Sequence, residues 1–220
     1  MMKQKSGKQP LFALKYLAYD FIKVTAALPG LIWLRPRWIY AAPEAREYLR
    51  GGALVIANHV GFLDPVYLMY AIWYRRHRFV CGKEFFESKA RWFFRAFRCI
   101  PIDRENFGLD SLRLIADELR AGSVVTMFPE GHISAEGGEE IAAFKPGMVL
   151  MALQGRAPVV PVYFQPRKHW YSRLRVVIGQ KLDIIETYGT HPTMSQIDEI
   201  VTLLRGRVEE LKAIAEERES

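Results

Sequence analysis

Apolar residues along the chain fall into two alternating rhythms. Runs at 53–57 (ALVIA), 79–81 (FVC), 123–128 (SVVTMF), 158–164 (PVVPVYF) and 174–178 (LRVVI) are short, nearly continuous and rich in valine, the pattern of strands buried on both faces. Between them, 65–74, 86–97, 109–121 and 144–154 have helical periodicity or propensity. In 109–119 (LDSLRLIADEL), Leu109, Leu112, Ile115, Ala116 and Leu119 share one face, and Gly122 supplies the stop. A last stretch, 194–218, spaces Ile197, Ile200, Val201, Leu204, Val208, Leu211 and Ile214 mostly at three- and four-residue steps opposite a charged face, as a structural cover. Helices alternating with strands predict an α/β domain over 46–220, a mostly parallel central sheet flanked by helices.

Residues 1–45 read differently. The stretch 11–28 (LFALKYLAYDFIKVTAAL) gathers Lys15, Asp20 and Lys23 on one side of a helix and leaves the rest of its circumference apolar. Pro29 and Gly30 are expected to stop it, before a second short apolar piece at 31–34 (LIWL) followed by Arg35, Arg37, Trp38 and Tyr40. The expectation is an N-terminal amphipathic helical hairpin resting in the headgroup layer of a membrane, monotopic because no window of eighteen uninterrupted apolar residues exists to span one.

Charge sharpens that picture. Of the net charge of +7, six units lie in residues 1–50, where nine Lys/Arg face three Asp/Glu. A second basic belt covers 75–104, suited to a phosphorylated ligand. The positive charges sit beside greasy aromatics, and no zinc-finger, GXXG or helix-turn-helix signature occurs, so an anionic lipid surface is the expected partner rather than nucleic acid. Two cysteines without a CxxC, together with no convincing export signal, point to a reducing compartment and the cytoplasmic face of the cell membrane.

Three polar, turn-rich segments interrupt the apolar elements: 58–64 (NHVGFLD), 100–104 (IPIDR) and 128–134 (FPEGHIS). The first and third follow strands, whose carboxyl ends are where α/β sheets bind ligands. His59 can take a proton at neutral pH, and a turn at Val60-Gly61 can fold the Asp64 carboxylate back onto its ring to fix the tautomer; a structural or capping pair is the plainer alternative. No G-x-S-x-G elbow occurs and neither cysteine neighbours a base, so a nucleophile would come from the substrate. His59, Asp64, Glu130 and His132 could converge as metal ligands, but without an H-E-x-x-H or cysteine cluster no metal is expected. Glu130-Gly131 reads either as a simple turn or as a carboxylate beside a glycine that makes room for a ligand. Arg104 suits a phosphate fork better than most arginines here.

Taken together, Asn58-His59 with Asp64, then 100–104, 128–131 (FPEG) and 160–162 (VPV), occur in the order of the four motifs of the glycerolipid acyltransferase family, and the chain resembles its bacterial 1-acyl-glycerol-3-phosphate acyltransferase branch. The segment 144–147 (FKPG) is similar to the stretch after the third motif. The resemblance implies a glycerol-phosphate acyltransferase-like fold and transfer of a fatty acyl group to a lysophospholipid hydroxyl. Acyl-CoA or acyl carrier protein would be the co-substrate, with no permanently bound cofactor. It implies that His59 is the general base, oriented by Asp64; that Arg104 binds the acceptor phosphate; that Asn58, Glu130 and Gly131 fall on acceptor-binding positions; and that Pro161 shapes the acyl side.

One departure bears on the acceptor. Where the family commonly reads F-P-E-G-T-R-S, this chain has His132-Ile133-Ser134 after the glycine. Phosphate binding would then rest on Arg104, helped by Lys83 or by a protonated His132, and the acceptor could be another lysophospholipid or a glycolipid. A thioesterase or lipase using the same His59, and a non-enzymatic peripheral membrane protein, are the rival readings.

Overall fold

The computed structural model describes residues 16–103, 108–133, 140–166 and 173–218. Arg104, Ser134 and residues 1–15 therefore lie outside the described residues. Seven strands form one sheet in the order β1-β7-β6-β2-β5-β3-β4. They are β1 (Arg37–Tyr40), β2 (Ala53–Ala57), β3 (His77–Gly82), β4 (Ile100–Ile102), β5 (Val124–Met127), β6 (Val159–Gln165) and β7 (Arg175–Ile178). From β6 to β4 every pairing is parallel; β7 runs antiparallel to β6, and β1 pairs parallel with β7. The mostly parallel α/β architecture expected from the alternating rhythms is the one found.

The pleat divides the core into two layers, because successive side chains of a strand point to opposite faces. Leu54 and Ile56 of β2 join Val125, Val159 and Val177 on one face. Helices α6 (Leu109–Arg120), α7 (Gly147–Gly155) and α9 (Met194–Glu217) cover it through Ile115, Met148, Leu204 and Val208. Ala53, Val55 and Ala57 face the other way with Val160, Val162 and Phe164, under Tyr19 and under Tyr67 and Leu68 of α3 (Asp64–Ala71). The α9 start carries a capping box between Thr193 and Gln196, and α8 (Ile184–Tyr188) is capped by Asp183.

Three expectations are corrected. Pro29 and Gly30 do not stop the first helix: α1 (Leu17–Ile22) passes through a π turn (Lys23–Ala27) into α2 (Leu28–Leu34). A proline ring clashes with the carbonyl one turn back, and the widened turn just upstream displaces that carbonyl. Thr25 loosens the same turn by donating its hydroxyl to the Phe21 carbonyl oxygen at 2.7 Å. In place of a hairpin there is one long helix, and the chain then enters the sheet as β1, a strand not anticipated. Second, the helix expected over 86–97 is split into α4 (Glu84–Glu87) and α5 (Arg91–Ala96). Ser88, in extended backbone, donates to the Phe85 carbonyl oxygen and accepts from the Ala90 N–H. Third, residues 100–102 form the edge strand β4 rather than a turn.

The long helix is amphipathic in an inverted sense. Its polar side faces the protein: Asp20 holds Arg76 through two nitrogen–oxygen contacts of 2.9 and 2.7 Å, and Lys23 donates to the Trp73 carbonyl oxygen at 2.6 Å. Tyr19 is buried beside Phe97 and accepts from the His77 N–H. Leu17, Phe21, Val24, Leu28 and Ile32 are left exposed.

Candidate active site

The carboxyl ends of the five parallel strands define one edge of the sheet, and β2 delivers Asn58 and His59 there. Asn58 is buried and clamps the neighbouring strand: its Nδ2 donates to the Phe164 carbonyl oxygen at 2.9 Å and its Oδ1 accepts from the Phe164 N–H at 2.7 Å. Both ends of the carboxamide thus serve to fix where β2 releases the chain, and Asn58 does not line the cavity beside His59.

From that fixed point the turn brings Asp64 back to His59. One oxygen, Asp64 Oδ2, accepts from His59 Nδ1 at 2.7 Å, from the Val60 N–H at 2.8 Å and from the Gly61 N–H at 2.9 Å. The Asp64 N–H returns a bond to the Gly61 carbonyl oxygen at 3.1 Å, and the Asp64 side chain is buried. A carboxylate held this way fixes the ring and its tautomer: Nδ1 carries the proton and Nε2 the lone pair. Phe128, at the end of β5, stacks on the imidazole with ring centroids 3.9 Å apart.

His59 lines a cavity of about 930 Å³ whose walls are otherwise largely apolar and aromatic. Tyr67 and Met69 of α3, Phe93 and Phe94 of α5, and Met148 and Met151 of α7 form much of it. Ile22 and Leu31 of the long helix close one side, and Phe62, Leu63 and Ile133 stand exposed where the lining meets solvent. The volume and lining suit a flexible hydrocarbon chain with one polar end at His59.

The turn after β5 carries Glu130, which lies behind the cavity lining, and His132, which belongs to it. Glu130 is buried, and neither carboxylate oxygen reaches a hydrogen-bond partner among the described residues. Burial raises its pKa above the ordinary glutamate value, while His132 and the main-chain N–H of His59, near the carboxylate but short of hydrogen-bond geometry, offset part of the effect. Gly131, at φ +80°, and His132 both line the cavity, and His132 Nδ1 bonds the Glu130 carbonyl oxygen at 3.0 Å.

Other expected residues lie apart. Lys83 is outside the cavity lining and bonds Asp103 Oδ2 at 2.6 Å. Pro161 does not line the cavity. It sits in mid-β6 opposite Ile56, its ring toward Gly179 and its pleat position on the face covered by α9. The position tolerates proline because the β6–β7 ladder begins one residue later, at Val162. Arg104 lies outside the described residues. Among the described residues no group of three or more His, Cys, Asp or Glu side chains gathers as a metal site.

Sequence reasoning missed the stacking role of Phe128, the aromatic wall of α5, and Lys145, the one Lys, Arg, Asp or Glu among the described lining residues. The clustered phenylalanines at 93, 94 and 97 were the available signal for the wall.

A family model described as Acyltransferase matches residues 41–165, from just after β1 to the end of β6. The 1-acyl-sn-glycerol-3-phosphate acyltransferase of Bacillus subtilis (strain 168) is 27% identical over 169 residues, which take in 73% of this chain and 81% of that protein. The crystal structure of the 1-acyl-sn-glycerophosphate (LPA) acyltransferase PlsC from Thermotoga maritima is similar in fold, with a TM-score of 0.63 at 21% identity, over 90% of this chain and 81% of that one.

Proposed function

The chain belongs to the acyltransferase family, and from that premise we propose that it transfers a fatty acyl group from the thioester of acyl-CoA or acyl carrier protein to the hydroxyl of a lysophospholipid, with 1-acyl-sn-glycerol-3-phosphate the first acceptor and phosphatidic acid the product. The observation that carries this reading is the placement of the His59–Asp64 pair on the wall of an apolar cavity large enough for an acyl chain.

In the proposed mechanism, His59 Nε2 takes the acceptor's hydroxyl proton as the oxygen attacks the thioester carbonyl carbon. Asp64 holds Nδ1–H and stabilises the imidazolium that forms. The tetrahedral intermediate collapses, the carbon–sulfur bond breaks, and the imidazolium returns its proton to the departing thiolate. The acyl chain would occupy the cavity between α3, α5 and α7. Glu130, with its unsatisfied oxygens, would accept hydrogen bonds from acceptor hydroxyls.

The enzyme is proposed to work as a peripheral or monotopic protein on the cytoplasmic face of the membrane. The inverted helix supports this: it turns its ion-paired side to the protein and its apolar stripe outward, followed by the exposed Arg35 and Arg37. No helix among the described residues is long and apolar enough to cross a membrane.

The test is product analysis by mass spectrometry, incubating wild type and H59A with palmitoyl-CoA and a panel of lysophospholipids. An acylated lysophospholipid formed by the wild type and lost in folded H59A supports the proposal. Free fatty acid formed at a rate independent of acceptor would replace it with a thioesterase.

A further inference from the structure

We infer that Cys81 and Cys99 make the cavity wall a site of covalent modification by α,β-unsaturated aldehydes that carry a hydrocarbon tail, and that the adduct shuts off acyl transfer; the second half of the inference rests on the acyl-transfer reading above. The chain has only these two cysteines, and both line the cavity. Neither is in a disulfide, and each is partly exposed.

The pairing of β3 with β4 places them. Val80 lies level with Ile100 and Cys81 with Pro101, so Cys99 stands level with Phe79, two residues back along the ladder from Cys81. Val80 and Ile100 belong to one layer of the core, Phe79 and Cys99 to the other, and Cys81, two residues beyond Phe79, shares the face of Phe79 by the alternation of the pleat. Arg98, at φ +54°, turns the chain after α5, and the Cys99 N–H then donates to the Phe94 carbonyl oxygen at 3.0 Å, which fixes Cys99 beside the aromatic wall. The two-residue offset spaces the cysteine Cα atoms roughly 8 Å apart, beyond the reach of a disulfide without movement of the edge strand. Each thiol therefore answers to a third reactant rather than to the other.

A long 2-alkenal fits that position on two counts. Its tail is the kind of group that the lining of Phe93, Phe94, Met148 and Met151 takes up, and its β-carbon is electrophilic. The thiol sulfur bonds the β-carbon, the electron pair of the carbon–carbon double bond moves toward the carbonyl, and the thiol proton ends on the α-carbon. Nothing leaves, and no oxidant is consumed. A tail seated in the cavity makes the step effectively intramolecular, so binding selects the reagent more than the reactivity of the thiol does. The adduct then fills volume that an acyl chain would need.

The experiment treats the purified full chain in detergent with 2-decenal or 2-butenal, which share the reacting group and differ in the tail. Adducts are fixed with borohydride and mapped by peptide mass spectrometry, because His59 and Lys145 also line the cavity and can take such an aldehyde. Adducts on Cys81 and Cys99 are expected to form about tenfold or more faster with 2-decenal, the advantage of a bound reagent, and palmitoyl-CoA should slow them. Acyl transfer, with each protein compared to its own untreated sample, is expected to be largely lost in the wild type and largely kept in C81A/C99A. The single variants C81A and C99A, each with one thiol left, serve the mapping if the double variant does not fold. Equal rates for the two aldehydes, adducts confined to lysine and histidine, inhibition of C81A/C99A to the same extent, or full activity in protein carrying both thiol adducts overturns the inference. Absence of acylated product from untreated wild type would instead defeat the acyl-transfer reading, while the adduct map still decides the thiols.

Discussion

The imidazole of His59 lies on the ring of Phe128, centroids 3.9 Å apart and planes within 12° of parallel. The two residues stand just beyond the carboxyl ends of the adjacent parallel strands β2 and β5, whose pairing brings those ends side by side. Asp64 constrains the ring at one edge and Phe128 across one face, which leaves Nε2 little freedom to turn away from the cavity.

Replacing Phe128 by leucine keeps most of the apolar volume but removes the flat support. Under the acyl-transfer reading kcat is expected to fall by about tenfold or more, because a base displaced by a fraction of an ångström loses its attack geometry. KM for the acyl donor should change little. A kcat equal to that of the wild type, in protein of unchanged melting temperature, would show that Asp64 alone suffices to hold the ring.

Asp64→Asn tests the other constraint. The carboxamide oxygen can still accept from Val60 and Gly61, so the turn should persist and the melting temperature should move by only a few degrees. It cannot stabilise an imidazolium as a carboxylate does, and kcat is expected to drop ~10²–10⁴-fold. Stopped assays of acyl transfer alongside thermal melts separate the two effects.

The contact between that pair was open to the sequence only as one of two readings, because a turn at Val60-Gly61 can fold Asp64 back onto His59 while the five-residue spacing is equally that of a capping pair; the carboxylate–imidazole bond decides for the contact. The parallel sheet was legible: strands buried on both faces announce themselves as unbroken apolar runs. The stacking role of Phe128 was not, since it comes from a chain segment far away in sequence: Phe128 meets His59 only because β2 and β5 are paired. Pro29 misled because proline ends helices on local grounds, and the π turn that accommodates it here has no signature in the residue pattern.

His77 predicts a pH dependence of stability that is separate from catalysis. It is buried, shares a 2.7 Å hydrogen bond with the Thr126 hydroxyl, and burial pushes its pKa down to about 3. The unfolded chain binds a proton near the ordinary histidine value that the folded protein refuses, so stability falls as pH drops from about 6.5 toward 3. H77N keeps a donor for Thr126 without the titration. Denaturant melts between pH 7 and 4.5 should show the wild type losing of the order of a few kcal/mol more than H77N. Parallel slopes in the two proteins would refute the assignment.

Glu130 works with the opposite sign. Its folded pKa is raised by burial, so the native state holds its proton more tightly than the unfolded chain does, and stability declines as pH rises above the ordinary glutamate value. E130Q is expected to melt higher than wild type at pH 7, with the gap closing toward pH 4.5. If the unsatisfied oxygens serve the acceptor, the same variant loses acceptor affinity, the trade of stability against function that a buried unpaired carboxylate implies. A variant less stable than the wild type at pH 7 would mean that the carboxylate has a partner that holds it.

The inverted helix makes the last prediction. Leu17, Phe21, Val24, Leu28 and Ile32 are all at least 47% exposed, a stripe that would cost free energy in water and gains it in a lipid interface. The polar side cannot rotate outward in compensation, because Asp20 is tied to Arg76 and Tyr19 is packed under the sheet. The triple variant Phe21→Glu, Val24→Glu and Ile32→Glu alters only side chains that touch little of the protein, so its melting temperature should stay within a few degrees of the wild type. Its cosedimentation with vesicles containing anionic phosphatidylglycerol should be lost. Salt should weaken wild-type binding only in part: the lysines and arginines of the N-terminal segment are screened, whereas insertion of the stripe is not. Binding abolished by salt alone would make the contact purely electrostatic. Binding that survives all three glutamates would remove this helix from the membrane contact and leave Phe62, Leu63 and Ile133, at the edge of the cavity, as the next surface to change.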